Sequence, residues 1–258
     1  MFQSRPKRSR FHSTIKSGVV VLALTVVSVG KRAPALEFPG PAPGESTARL
    51  EGDRLLLKNG VIQMTWNLAA DRLGPVELVD RISGRSIEFP GESAFAVTLG
   101  DGRSLAAEDL RRAGKPALAR LPAQPDSVRL SGRFPGWKCS LPLVSKDGSL
   151  TVRWEIILRD QSNYVRTRLT VRSKTKLAAG AQLTLIQADV PNARVVGKVV
   201  GSPVVAGNFF LACEHPMANN RVDDGRVVCS VPRYGSMEPD EPWTATAAVG
   251  VVPEGQLR

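Results

Sequence analysis

Hydrophobic residues fall at every second position through much of the chain's second half, a period that suits a strand with one buried face. Leu150, Val152, Trp154, Ile156 and Leu158 alternate with Thr151, Arg153 and Glu155 until Ile157 blurs the pattern. The next run sets Val165, Thr167, Leu169 and Val171 against Tyr164, Arg166, Arg168, Thr170 and Arg172. It predicts a half-buried antiparallel strand with a cationic outer face. Three arginines there mark either an anion-binding patch or a solvated face with acidic partners on neighbouring strands. Lys146-Asp147-Gly148 closes the hairpin before the first of these runs. Further short runs cover 182–187, 195–200, 227–231 and 244–252.

In the first half, extended runs at 53–58 and 61–67 flank Asn59-Gly60, a dipeptide suited to a type I′ hairpin turn. Shorter runs at 76–79, 86–89 and 94–99 are punctuated by Ser83-Gly84, Pro90-Gly91 and Asp101-Gly102. Only 109–115 reads as a helical turn. Roughly a dozen short strands with almost no helix predict an all-β fold, a large antiparallel β-sandwich.

Charge changes this picture at one end only. The formal net charge is +11, which spread over a fold would point to nucleic acid or an anionic membrane. Residues 1–35, however, hold seven basic side chains and no acidic one, so the remainder carries a net charge of only +4 and no nucleic-acid partner is expected. The basic start precedes a 13-residue apolar run, GVVVLALTVVSVG, and then Ala33-Pro34-Ala35. That order is the signature of a secretory leader over 1–35 with a small-x-small cleavage site, too short to span a bilayer comfortably. Lys31 and Arg32 leave an uncleaved anchor open; with the leader removed, no stable membrane span is expected. Residues 36–47 form a Pro/Gly-rich linker, and the sandwich is expected over 48–258. A secreted or periplasmic location follows.

Chemistry is sparse. The three cysteines, Cys139, Cys213 and Cys229, fit no disulfide framework. Cys213 and Cys229 can pair if their strands are neighbours; three buried thiols that never pair fit the spacing equally well. No C-x-x-C or H-x-x-x-H spacing suggests zinc, no phosphate loop occurs, and no cofactor is expected. His215 is the only histidine after residue 35, so a His-His acid/base pair cannot be assembled. Polar groups concentrate in residues 201–220, GSPVVAGNFFLACEHPMANN. The first half of this stretch reads as a buried strand; the second breaks at Glu214-His215-Pro216 into a loop carrying Asn219-Asn220. A strand that delivers polar groups to a loop is how sandwiches build sites, although for any one residue, Glu214 or His215, a satisfied strand-end group is the default reading.

The segments NGVIQMTWN, LVDRISGRSIEF, VTLGDGRSL, GSPVVAGNFFLACEHPMANNR and WTATAAVGVVPEGQLR together carry a resemblance. Over about 48–258 the chain resembles the N-terminal β-sandwich of α-galactosidase-like glycoside hydrolases, and more closely bacterial secreted proteins labelled enterotoxin or melibiase-like. The resemblance implies a galactose-mutarotase-like supersandwich that packs on a following catalytic TIM barrel, with the catalytic aspartates in that barrel and PEGQLR leading into it. It implies that Asn208, Glu214, His215 and Asn219 offer hydrogen bonds to sugar hydroxyls, with Phe209, Phe210 or Trp243 as an apolar platform. Calcium at a sandwich–barrel junction has no acidic cluster here to specify it. Because the chain ends at Arg258, the expectation is a truncated or split product: a non-catalytic accessory domain with carbohydrate and the missing barrel as partners, marked by an exposed apolar docking patch. The alternative is a stand-alone secreted carbohydrate-binding or surface-interaction module, marked by a polar exterior and a groove of aromatic and amide groups.

Overall fold

The computed structural model describes residues 40–69, 73–91, 93–253 and 256; the expected leader and most of the closing PEGQLR segment lie outside them. The described part opens with an antiparallel meander of five strands, β1 (Thr47–Glu51), β2 (Arg54–Lys58), β3 (Ile62–Asn67), β4 (Gly74–Asp80) and β5 (Ser86–Glu88). The β2–β3 connection corrects one expectation. Neither Asn59 nor Gly60 has the positive φ of a type I′ turn. Instead the Asn59 side chain accepts hydrogen bonds from the Val61 and Ile62 N–H groups at 3.0 and 3.1 Å. Gly60 N–H donates to the Pro43 carbonyl at 2.7 Å, and a Cβ on Gly60 would stand 2.9 Å from that oxygen. Glycine is required here by the close approach of the preceding chain rather than by φ. That chain is already docked ahead of β1: Pro43 and Ser46 are buried, and Ser46 N–H donates to Asp160 at 2.8 Å.

A short hairpin follows, β6 (Ala96–Thr98) and β7 (Ser104–Ala106). The helical turn expected at 109–115 is not there. A single 3-10 turn, Ala107–Asp109, is followed by β8 (Arg111–Arg112), which joins a sheet edge. Nucleating a helix fixes several residues for one hydrogen bond, whereas a sheet edge offers partners at once; Ala113 N–H donates to the Pro142 carbonyl at 2.9 Å.

The remaining strands are β9 (Ala117–Leu121), β10 (Gly136–Val144), β11 (Leu150–Arg159), β12 (Tyr164–Ser173), β13 (Ala181–Asp189), β14 (Arg194–Val195), β15 (Val204–Ala206), β16 (Phe209–Cys213), β17 (Asn219–Asp223), β18 (Arg226–Arg233) and β19 (Trp243–Val251). They complete two more antiparallel sheets. The larger has the order β14-β15-β16-β19-β12-β11-β10-β8, with β9 also on β10; the smaller has the order β17-β18-β13-β6-β7. The all-β sandwich is thus observed. Its inner faces share one core, to which the meander contributes Trp66, the larger sheet Trp154 and the smaller sheet Ile186.

The alternation read from the sequence holds strand by strand. Leu150, Val152, Trp154, Ile156 and Leu158 are all buried on the inner side of β11, and burying each large side chain contributes about 1.5 to 3 kcal/mol. Ile157 blurs the pattern because it is buried on the opposite face, in register with Lys138 and Arg166. All three cysteines are free and buried. Cys213 lies on β16 of the larger sheet and Cys229 on β18 of the smaller one; the two strands face each other across the core, and no bond joins the two thiols. Burial pushes the Cys139 thiol up to about 11 and the Cys229 thiol up to about 12.

Candidate functional site

Strand register lays out the outer face of the larger sheet row by row. Ser140, Glu155, Arg168 and Thr246 stand side by side across β10, β11, β12 and β19. Glu214 extends this row, its N–H donating to the Thr246 carbonyl at 2.8 Å. One step along the strands the row is Pro142, Arg153, Thr170 and Thr244; the next holds Val144, Thr151 and Arg172. A groove of about 990 Å3 opens over these rows, within the size range of small-molecule sites.

Two carboxylates organise its floor. Glu155, 5% exposed, receives Lys138 at 2.8 Å and Arg168 at 3.3 Å. Burial opposes its ionisation, but the Lys138 hydrogen bond and the charges of Lys138, Arg168 and Arg153 outweigh it and hold the carboxyl below its ordinary range. Glu214 takes a bidentate fork from Arg166, with Nε and Nη2 each at 2.6 Å, and a looser contact from Arg129 at 3.3 Å. Burial again works against ionisation, and the Arg166 bond and charge again win. Arg166 in turn donates to the Tyr164 hydroxyl at 3.3 Å, and that hydroxyl lies 3.0 Å from Ser131 Oγ. Gly250 separates the Tyr164 and Phe210 rings, whose centroids are 6.5 Å apart.

Of the residues singled out from the sequence, Glu214 and His215 line the groove. His215 Nδ1 accepts the Met217 N–H at 3.1 Å, which fixes the turn. The others are elsewhere. Asn208, at the far end of β16, is buried and donates to Asp80 at 2.6 Å, tying the meander to the larger sheet. Asn219 is exposed on β17, and its neighbour Asn220 does the structural work: it accepts the Cys213 N–H at 3.0 Å and donates to the Gly201 carbonyl at 3.1 Å. Trp243 is 7% exposed and belongs to the inner core, with the Arg233 guanidinium 5.9 Å from its ring. Phe209 is core as well, whereas Phe210 is half-buried on the outer face. The aromatic platform expected from the resemblance is therefore not in the groove: among its described lining residues there is no Phe, Tyr or Trp.

The cations of the groove were only partly legible in the sequence. Arg153, Arg168 and Arg172 were legible as an alternating cationic face on β11 and β12, but nothing in their spacing shows that they border a groove. Lys138 and Arg129 carry no sequence signal at all; register and a loop bring them there. Among the described residues, no group of three or more His, Cys, Asp or Glu converges in a way that would hold a metal. No described helix is long and apolar enough to cross a membrane.

No protein-family model matches the chain, and no curated protein matches it significantly in sequence. Solved structures match it in shape. A GH36 α-galactosidase from Geobacillus stearothermophilus superposes with a TM-score of 0.50 at 11% identity, over 81% of this chain and 41% of that one. An α-mannosidase from Enterococcus faecalis V583 gives 0.51 at 10% identity, over 83% and 30%. A glycosyl hydrolase family 38 protein from Enterococcus faecalis gives 0.52 at 8% identity, over 83% and 32%. The chain spans less than half the length of each. At such identities the likeness shows the fold alone: an all-β sandwich shared with part of each of these proteins.

Proposed function

We propose that this protein is an exported, non-catalytic β-sandwich of glycoside-hydrolase type that holds carbohydrate in the groove over β11, β12 and β19 and works beside a catalytic TIM-barrel partner. The observation that carries this reading is an open polar groove whose two carboxylates are both held by cations, Glu155 by Lys138 and Arg168 and Glu214 by Arg166 and Arg129. Cleaving a glycosidic bond calls for a carboxylic acid still protonated near neutrality, with its pKa raised. Glu155 and Glu214 are both held below their ordinary range by arginine and lysine partners. They are suited to accepting hydrogen bonds and fixing cationic side chains, and unsuited to proton donation. The exposed Val195, Val199 and Val200 at and after β14, and Met217 in the turn before β17, supply apolar area for a neighbouring domain.

The test is to titrate the full chain with a panel of neutral and acidic oligosaccharides while following backbone amide shifts. Thr244 is exposed on the groove floor, so Thr244→Trp obstructs the groove without touching the core. A saccharide that shifts groove residues and binds about tenfold or more weakly to the variant bears out the reading. If no saccharide shifts them, or if the chain alone hydrolyses a glycoside at an enzyme's rate, the reading fails. A stand-alone binding module is the second reading, favoured by a groove floor laid out in continuous rows across β10, β11, β12 and β19. It requires the measured affinity to be unchanged when a catalytic domain is supplied.

A further inference from the structure

Three guanidinium groups cluster around one pair of hydroxyls on the groove floor. Arg153 sits opposite Thr170 across β11 and β12, and Arg168 and Arg172 flank Thr170 two residues away on either side. Such diagonal neighbours lie about 7 to 8 Å apart in an antiparallel sheet. Thr170 Oγ1 and Thr244 Oγ1 share a hydrogen bond of 2.9 Å at the centre. Only Arg168 has a carboxylate partner, at 3.3 Å. Arg172 donates to the neutral Asp240 carbonyl. Arg153 makes no ion pair with the described residues and is exposed. With Lys138 and Arg129, five cations line the groove against two carboxylates. Glu155 offsets part of this charge, being paired to Arg168 and attracted to Arg153, and the excess of cations is left for a ligand to meet.

We infer that the saccharide taken by this groove is acidic, an oligosaccharide bearing carboxylate or sulfate groups, with Arg153, Arg168 and Arg172 receiving the anion and the Thr170–Thr244 pair the adjoining hydroxyls. The inference rests on the groove being a carbohydrate site and names the chemistry of its ligand. Guanidinium forks match planar carboxylate and sulfate oxygens, and threonine hydroxyls both donate to and accept from sugar hydroxyls. The lining holds no aromatic face on which a neutral sugar ring or a nucleic-acid base would stack. Glu155 and Glu214 at the floor also interrupt the cations, which disfavours a continuous phosphate backbone.

The experiment titrates the full chain with an oligogalacturonate, a sulfated galactan oligosaccharide and a neutral oligosaccharide of the same length, at low and high salt. The acidic ligands are expected to bind about tenfold or more tightly than the neutral one, with affinity falling steeply as salt rises. Arg153→Gln and Arg172→Gln should each weaken acidic binding by about tenfold, the scale of one charge-assisted hydrogen bond. Arg49→Gln, which removes the same charge from exposed β1, should not weaken it. Comparing the two acidic probes identifies the anion as carboxylate or sulfate, and tighter binding of either supports the inference. Equal binding of the neutral ligand, lost in Thr244→Trp and indifferent to both arginine variants, overturns the acidic assignment and leaves the groove reading standing. Absence of binding by every saccharide overturns both. Duplex DNA that binds as tightly through the same arginines overturns the sugar assignment.

Discussion

The two faces of β11 and β12 are made from alternate residues of the same strands, yet they are built on different terms. The inner face is Leu150, Val152, Trp154, Ile156 and Leu158 beside Val165, Leu169 and Val171, all buried. The outer face is Arg153, Glu155, Arg166, Arg168 and Arg172, where every carboxylate is matched to cations and some cations are matched to no carboxylate. Packing on the inner side is satisfied within the chain. Charge on the outer side is not, and the imbalance collects in a groove. Stability should therefore respond strongly to inner substitutions and only to those outer ones that break a buried pair.

The largest effect should come from Trp154→Ala. This ring is 2% exposed and sits 6.1 Å from Phe95, so truncation leaves a cavity where two sheets meet. A loss of about 3 to 5 kcal/mol is expected in urea unfolding followed by fluorescence or circular dichroism. A loss under about 1 kcal/mol would mean the inner face tolerates a hole there and would remove the contrast with the outer one.

Next in size is the acid sensitivity of the outer pairs. Glu155 and Glu214 titrate lower in the folded protein than the roughly 4.3 of an unfolded glutamate. Between those values the unfolded chain binds more protons, so stability rises with pH. The contribution is fully present above the unfolded value and is lost as pH falls through the folded ones. Midpoints of urea unfolding measured from pH 3 to 7 should fall steeply below about pH 4.3, and the fall should be shallower in Glu155→Gln. Glu214→Ala, which strands the mostly buried Arg166, should cost about 3 kcal/mol near neutrality. A flat acid limb in the parent protein would show that these ion pairs contribute nothing to the fold.

The contrast also explains what could be read in the sequence. Period-two alternation depends only on neighbours along the chain, so the buried set of β11 and β12, and with it the all-β class, was legible from Leu150 to Val171. The groove depends on which strand lies beside which. Lys138, Glu155 and Arg168 are far apart in sequence and meet only because β10, β11 and β12 pair in one register. Glu214 was legible because it ends a strand at a turn, but its partner Arg166, 48 residues earlier, was not. Asn208 and Trp243 looked like site residues because polar or aromatic side chains near loops often are. Here the amide ties two sheets together and the indole fills the core, roles that become visible only when the strand face is known.

The smallest expected effect separates the two faces most sharply. Arg153 occupies the middle of β11, two residues from Glu155 and beside Trp154, where a residue placed for stability would be costly to change. Its charge has Arg168 and Arg172 as diagonal neighbours. Its attraction to Glu155 is the weakest of the three cationic influences on that carboxylate. Removing the charge should therefore relieve about as much repulsion as it loses attraction, and Arg153→Gln should change unfolding free energy by no more than about 0.5 kcal/mol in either direction. Lowering the salt concentration should move the variant toward being the more stable of the two proteins, because unscreened repulsion then weighs more in the parent. A loss of about 2 kcal/mol or more would instead make Arg153 a structural residue. The outer face would then be solvated scaffolding, and the groove would lose the one cation that no internal partner accounts for.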